Sequence, residues 1–257
     1  MERVPTGIAG YDEMLGGGYL PRTANLLEGA PGTGKTTLGM QFIHNGITQH
    51  GEPGLILTFE EFPRQYYHDA TAFGWDYRRL EQEGLLRVVL TSPEVSLEDL
   101  RQVEGRLEAM IHEIGARRVL VDSLSHFERI APDPVALRTV FFSFINTLRR
   151  EGLTAVLTRE SPALLGDDSS AGETSGEELT YLVDSYTLLR FVEIDSSLRK
   201  ALLVLKHRGS SHATDIRQFE IGAGGLEVQA RFEGQRGILS GSPQRMAEAF
   251  AEAFGRK

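Results

Sequence analysis

The sequence contains no cysteine among its 257 residues. Disulfide bonds and thiolate metal sites are therefore excluded, and the composition gives no sign of an oxidising compartment. No apolar run approaches the roughly 18 residues that a membrane-spanning helix needs. The first residues, MERVPTGIAGYDEML, also lack the apolar core of a signal peptide. These absences predict a cytoplasmic protein that does not enter a membrane.

Basic residues are the minority, with 27 Lys and Arg against 36 Asp and Glu and a net charge of -9. A protein that coats nucleic acid needs a basic surface, because it must neutralise phosphates. Residues 161–178 strengthen the point, since this polar segment contains five acidic residues and no Lys or Arg. We therefore expect an exposed, mobile loop there, and we do not expect nucleic acid as a partner.

Short apolar runs alternate with helix-like segments along most of the chain, which predicts an α/β fold with a mostly parallel sheet flanked by helices. The last third changes to alternating strands around glycine turns, which predicts antiparallel pairing there. We expect one domain spanning residues 1–257. The strands are predicted at residues 24–28, 54–59, 86–90, 118–122, 154–158, 186–192, 201–206, 219–221 and 226–228. The helices are predicted at residues 36–50, 64–74, 97–114, 135–150 and 244–254.

The most specific motif is GAPGTGKT at residues 29–36, which fits the P-loop pattern G-x-x-x-x-G-K-[ST] at every fixed position. Glycines let the backbone turn its N–H groups toward a phosphate, and the following helix adds its N-terminal dipole. Lys35 supplies a charge for the β- and γ-phosphates, and Thr36 offers a hydroxyl to Mg²⁺. The motif predicts ATP binding through Gly29, Pro31, Gly32, Thr33, Gly34, Lys35, Thr36 and Thr37.

Carboxylates at the ends of two predicted strands complete the expected site. Asp122 follows the apolar run RRVLV and is the candidate that holds the Mg²⁺ shell together with Thr36. Glu60 and Glu61 end the strand after the P-loop helix, and either can orient or deprotonate the attacking water. Because adjacent side chains on a strand face opposite ways, we expect only one of the two to reach the γ-phosphate.

Taken together, these motifs resemble the KaiC branch of the RecA-like ATPases, and the match runs over nearly the whole chain. The resemblance implies a RecA-like P-loop NTPase core that assembles as a ring, usually a hexamer, with ATP bound between subunits. The matching motifs are TGIAGYDEMLGGGYLPR at 6–22, TFEE at 58–61, FGWD at 73–76, RRVLVDS at 117–123, LKHRGSSH at 205–212 and ILSGSP at 238–243.

The resemblance also implies roles that the residues alone do not give. It implies that the pair Glu60 and Glu61 activates the attacking water or a hydroxyl. It implies that Lys206 and Arg208 reach the γ-phosphate held by a neighbouring subunit, and that His212 lies by the ribose. Without the family, residues 206–209 read only as a basic strand end.

Three functions remain open from the sequence. The first is a slow ring ATPase whose nucleotide state regulates contacts with other proteins. The second is a RecA-type DNA-acting ATPase, against which the acidic segment 161–178 counts. The third is an autokinase, because the phosphorylated Ser-Thr pair of the two-domain clock member corresponds here to Thr180 and Tyr181.

Overall fold

The computed structural model describes residues 2–99, 105–131, 133–161, 175–194, 196–232, 235–236 and 244–245. The strands are β1 (Ala24–Gly29), β2 (Gly54–Thr58), β3 (Leu86–Leu90), β4 (Arg118–Asp122), β5 (Thr154–Glu160), β6 (Ser185–Ile194), β7 (Ser197–His207), β8 (Arg217–Gly222), β9 (Gly225–Arg231), β10 (Gln235–Arg236) and β11 (Gln244–Arg245). The helices are α1 (Tyr11–Met14), α2 (Lys35–His50), α3 (Pro63–Ala72), α4 (Tyr77–Gln82), α5 (Pro93–Asp99), α6 (Arg106–Ile114), α7 (Pro134–Arg150) and α8 (Ser175–Leu182), with a 3-10 helix at Leu124–Arg129.

Nine of the strands in the described ranges form one sheet, in the order β3-β2-β4-β5-β1-β6-β7-β8-β9. Neighbours from β3 to β6 pair in parallel, whereas β7, β8 and β9 continue the sheet in antiparallel pairs. The predicted combination of a mostly parallel sheet with antiparallel strands toward the C-terminus is therefore confirmed.

Both faces of the central strands are buried, which explains their nearly continuous apolar runs. All six residues of β1 are buried. Leu26 and Leu27 point to opposite faces and belong to different hydrophobic cores. The core on the Leu27 face includes Leu38 and Phe42 of α2, and the core on the Leu26 face includes Phe141 of α7.

The predicted helix at residues 97–114 is wrong as a single element. α5 ends at Asp99 and α6 begins at Arg106, and the segment between them lies outside the described residues. The Asp99 carboxylate accepts hydrogen bonds from the backbone N–H groups of Arg106 and Leu107. An acidic cap at this point starts a new helix rather than continuing the first.

Two polar segments also differ from prediction. The loop expected at 161–178 ends earlier, because α8 begins at Ser175, while residues 162–174 lie outside the described part of the chain. The helix expected at 244–254 does not begin at Gln244, since Gln244 and Arg245 pair with β10 as a short antiparallel strand. Residues 246–254 and the motif at 238–243 are likewise outside the described ranges.

Candidate functional site

The predicted phosphate-binding residues lie where parallel strands end at one edge of the sheet. β1 ends at Gly29, whose neighbour on β5 is Glu160, and β2 ends at Thr58, whose neighbour on β4 is Asp122. Ligands of open α/β sheets bind outside the carboxyl ends of such strands. We call this side of the sheet the P-loop edge.

The glycine loop between β1 and α2 has the backbone geometry that phosphate binding needs. Gly34 has φ of 111° and is the N-cap of α2, and no side chain in the described part of the protein caps this helix. Its first turn contains no acidic residue. The N–H groups and positive dipole end of a 16-residue helix are thus not neutralised by a protein carboxylate at the cap, which suits an anionic ligand.

The neighbouring loop residues fit closely around this turn. A Cβ at Gly29 would lie 2.3 Å from the carbonyl oxygen of Leu189, so glycine alone fits there. Thr33 is buried, and its hydroxyl donates to the carbonyl oxygen of Ala30 at 2.8 Å. Pro31 and Gly32 are exposed and Thr37 is half-buried. The loop is therefore a preformed turn whose outer face is open.

Lys35 is held inside the loop that it terminates. The side chain is buried, and its Nζ donates to the carbonyl oxygens of Gly29 at 2.8 Å and Ala30 at 3.0 Å. Burial lowers the pKa of this ammonium, while Glu160 and Asp122 act in the opposite direction. In this structure the Lys35 ammonium donates to carbonyl oxygens, and the oxygens of a bound phosphate can accept the same hydrogen bonds.

Asp122 receives hydroxyl groups from three different elements. Thr36 Oγ1 donates to Asp122 Oδ2 at 2.8 Å, so the two residues predicted to bind Mg²⁺ contact each other. Tyr66 of α3 donates to the same oxygen at 2.9 Å, and Thr158 of β5 donates to Oδ1 at 2.5 Å. The sequence reasoning missed Tyr66 and Thr158, because neither residue belongs to a phosphate-binding pattern.

The donor set fits Mg²⁺. A threonine hydroxyl and a carboxylate are hard oxygen ligands, and both lie beside the first turn of α2. Lys35 adds one positive charge, so the groups around the loop carry charge of both signs, as a Mg²⁺–triphosphate complex requires. Thr36 and Asp122 are therefore the residues that would hold the ion.

Glu60 and Glu61 lie at the same edge but not on a strand. β2 ends at Thr58, and the pair lies in a bend, so the expectation that strand alternation separates the two side chains is wrong. The hydroxyl of Thr58 closes the bend by accepting from the Glu61 N–H at 3.1 Å and donating to the Glu61 carbonyl at 3.0 Å. Both glutamates are exposed.

His126 is a further neighbour that sequence reasoning did not identify. Its Nε2 lies 3.3 Å from Glu60 Oε2, and its ring packs beside Phe59. The histidine belongs to the 3-10 helix that follows Asp122. The segment at the end of β4 therefore supplies both the Asp122 carboxylate, which suits Mg²⁺, and His126, which contacts Glu60.

Lys206 and Arg208 lie at the opposite end of the parallel strands from the P-loop edge. Gly29 pairs with Leu189, whereas Asn25 at the other end of β1 pairs with Ser185, which pairs with His207. The four steps along the strand from Asn25 to Gly29 correspond to about 13 Å. Within one chain, the structure therefore does not bring the basic pair to the P-loop.

The two basic side chains contact the end of α8 instead. Lys206 Nζ donates to the carbonyl oxygens of Thr180 and Val183, both at 2.7 Å. Arg208 Nη2 donates to the carbonyl oxygen of Tyr181 at 3.2 Å. Such cations satisfy the last carbonyls of the helix and its negative dipole end.

His212 is also at this second edge. Its ring lies 6.5 Å from the ring of His207, which ends β7, and the adjacent Ala213 donates its N–H to the carbonyl oxygen of Met14. The predicted ribose contact is therefore not formed within the chain that supplies the P-loop. A contact to nucleotide would have to be made with another subunit.

One group of potential metal ligands in the described residues lies away from the P-loop edge. Glu108, His112 and Glu151 have ligand atoms within 4.8 Å of one another. His112 Nε2 lies 3.2 Å from Glu151, and Arg150 Nε lies 3.3 Å from the same carboxylate group. His112 is largely exposed, so the cluster is explained by ion pairing at the surface.

Comparison with known proteins places the chain in a family. The sequence profile described as ATPase, KaiC, matches residues 4–233. A UPF0273 protein of Methanocaldococcus jannaschii is 34% identical, with 89% of this chain and 96% of that protein aligned. The circadian clock protein KaiC3 of Synechocystis is 33% identical over 97% of this chain but only 48% of its own length. The chain thus spans about half the length of the clock relatives.

A solved structure agrees with these sequence matches. The crystal structure of a KaiC-like protein from Pyrococcus horikoshii superimposes with a TM-score of 0.77 at 30% identity, covering 89% of this chain and 99% of that one. The chain belongs to the KaiC family of ATPases. No helix in the described ranges is long and apolar enough to cross a membrane.

Proposed function

We propose that this KaiC-family chain binds ATP with Mg²⁺ at the P-loop edge and hydrolyses it slowly within a homo-oligomeric ring, most simply a hexamer. The nucleotide state of the ring would then regulate its contacts with other proteins. The observation that carries the proposal is the pairing of Thr36 with Asp122 beside the uncapped first turn of α2. A hydroxyl, a carboxylate and a helix N-terminus in contact are the groups that a Mg²⁺–triphosphate would bind.

The P-loop residues bind and orient the substrate. Backbone N–H groups of the loop and of the α2 N-terminus surround the β-phosphate, and Lys35 moves from carbonyl oxygens to phosphate oxygens. Thr36 and Asp122 would hold Mg²⁺, and the ion would supply positive charge against that developing on the phosphate oxygens. This arrangement positions the γ-phosphate for attack from the side of the glutamate bend.

Glu60 and Glu61 activate the attacking water. In the reaction, the water oxygen forms a bond to the γ-phosphorus, the bond from phosphorus to the bridging oxygen breaks, and the electron pair leaves with ADP. A glutamate accepts the water proton as the new bond forms. His126 contacts the carboxylate of Glu60, whereas the Thr58 hydroxyl holds the backbone of Glu61.

Lys206 and Arg208 complete the site of a neighbouring subunit. Around the end of α8, Lys206, Arg208 and Arg149 surround one carboxylate, that of Asp184. In this cluster of described side chains, three cations share one carboxylate. Since these groups cannot reach the P-loop of their own chain, a triphosphate bound by a second copy is the complementary anion. Assembly would thus be required for turnover.

Autophosphorylation is a second candidate, supported by where Thr180 lies. Thr180 is half-buried in α8, and its carbonyl oxygen accepts from Lys206, one of the two cations proposed to face the neighbour's γ-phosphate. In the proposed ring, the Thr180 hydroxyl would lie on the side of the subunit that faces the γ-phosphate of the neighbour's ATP. Hydrolysis and transfer would then use one bound ATP and differ only in the acceptor oxygen.

The proposal is tested by following phosphate release and light scattering of the intact chain with and without MgATP. We expect nucleotide-dependent assembly and slow phosphate release, both lost in Lys35→Ala. Turnover at the wild-type rate by a strictly monomeric preparation would contradict the shared site.

A further inference from the structure

Three hydroxyl groups hold the carboxylate of Asp122, and only one of them belongs to the P-loop. Thr36 and Tyr66 both donate to Oδ2, while Thr158 donates to Oδ1. Tyr66 comes from α3 and Thr158 from β5, so two elements outside the loop constrain the same side chain. Both oxygens of the carboxylate have a defined donor, and its rotation is restricted.

The two additional donors are permanent parts of the interior. Tyr66 is 3% exposed and Thr158 is fully buried. A phenol carries a single hydrogen, and Tyr66 donates it to Asp122 Oδ2 at 2.9 Å.

We propose that Tyr66 is a positioning residue for the Mg²⁺ carboxylate, with Thr158 supporting the second oxygen. Groups behind a metal ligand orient it and set its affinity, although they never touch the ion. The Tyr66 hydroxyl would hold Asp122 Oδ2 toward Thr36, and the Thr158 hydroxyl would prevent the carboxylate from turning away. The inference rests on the proposed binding of MgATP.

Tyr66 also links this carboxylate to the glutamate bend. α3 begins at Pro63, two residues after Glu61, and Asp122 is the β4 neighbour of Thr58 at the end of β2. Thr58 in turn closes the bend that contains Glu61. The position of one helix thus sets both the metal carboxylate and the bend that contains the proposed base.

The adjacent tyrosine provides a matched control. Tyr67 lies on the same helix, and its hydroxyl donates to Glu81 Oε2 on α4 at 2.5 Å. Tyr67→Phe therefore removes a phenol–carboxylate hydrogen bond of the same kind from the same helix, away from Asp122. A general effect of losing such a bond on α3 would appear in both variants.

The experiment measures binding of a fluorescent ATP analogue to the full chain, first in EDTA and then with increasing Mg²⁺. We expect Tyr66→Phe to need about 10-fold more Mg²⁺ than wild type for the same enhancement of binding. Binding in EDTA should be unchanged, and Tyr67→Phe should match wild type in both conditions. Thr158→Val should shift the Mg²⁺ requirement in the same direction, whereas Thr158→Ser, which keeps the hydroxyl, should not.

Several results would overturn the inference. An unchanged Mg²⁺ requirement in Tyr66→Phe means that the phenol does not position Asp122, and a lower requirement means that it competes with the ion. An equal loss of binding in EDTA and in Mg²⁺ reduces the role of Tyr66 to packing. The two Thr158 variants test whether positioning of the Asp122 carboxylate matters, without altering α3. Absence of Mg²⁺-dependent binding in wild type would contradict the proposed function itself, and the inference would fall with it.

Discussion

The ammonium group of Lys206, on β7, lies at the end of the parallel strands opposite to that of Lys35, the first residue of α2. Lys35 bonds the loop that follows β1, and Lys206 bonds the carbonyl groups at the end of α8. A site that needs both charges therefore requires two copies of the chain. This relationship gives the most direct test of the proposed ring.

Two inactive variants should restore activity when they are mixed. Lys35→Ala removes the P-loop charge, and the double variant Lys206→Ala with Arg208→Ala removes the basic pair. Each alone should fall to background, because a cationic finger contributes about 10³-fold or more. In a mixture incubated with MgATP, the intact P-loop of the double variant can meet the intact basic pair of a Lys35→Ala subunit. Phosphate release by the mixture should rise accordingly.

The complementation needs a control for folding, since Lys206 also bonds α8. Nucleotide binding by the double variant shows whether its P-loop is intact, and Arg208→Ala alone alters a largely exposed side chain. A mixture as inactive as its components, with nucleotide binding retained, would show that the basic pair does not act between subunits.

The part of the site predicted from sequence consists of local patterns. The P-loop is contiguous, and Asp122 follows an apolar run whose end must lie at the carboxyl edge of a parallel sheet. Leu26 and Leu27 illustrate why the sheet was predictable: a strand buried on both faces is apolar at every position. These patterns can be recognised in the sequence without knowing which other elements pack against them.

The remaining features depend on packing between distant elements. Tyr66, Thr158 and His126 reach the site only because α3, β5 and the 3-10 helix meet there, and each residue type is ordinary in its own segment. α8 was missed because its first residues are polar and small. Leu179 of α8 and Val183, the residue after the helix, are buried in the core on the Leu26 face and supply its hydrophobic contacts.

Replacing the acidic pair should separate binding from turnover. Glu60→Gln combined with Glu61→Gln should lower phosphate release by about 100-fold or more while MgATP binding is retained, because only the proton acceptor is lost. The single variants assign the base, and Glu83→Gln, on an exposed carboxylate paired with Arg79, is the matched control. Unchanged turnover in the double variant would exclude both residues as the base.

Incubation with MgATP should reveal any autokinase activity by intact mass. If α8 faces the γ-phosphate of a neighbour, one phosphate group should be added and should be absent in Thr180→Val. Tyr181→Phe is the control, because Tyr181 is the adjacent hydroxyl and is 67% exposed. Loss of the added mass in Tyr181→Phe instead would move the acceptor to the tyrosine. An unmodified wild-type chain would contradict the autokinase candidate and leave hydrolysis as the only reaction.

The buried His207 should make stability fall in acid. Burial, Arg3 and His212 lower the pKa of His207 to about 4, and neither ring nitrogen has a hydrogen-bond partner among the described residues. The unfolded chain binds the proton near pH 6.5, whereas the folded chain resists it until about pH 4. The free energy of unfolding should therefore decrease as the pH falls through this window, by about 2 kcal/mol between pH 7 and pH 5.

Denaturant titrations at the two pH values measure this loss. His207→Leu should reduce it, because the replacement side chain cannot titrate, although His44, whose pKa burial also lowers, contributes with the same sign. His68→Leu, at an exposed position on α3, should leave the pH dependence of wild type in place. If His207→Leu retains the full wild-type loss, then His207 is not the group that the folded chain keeps neutral. The acid sensitivity would then have to arise elsewhere in the protein.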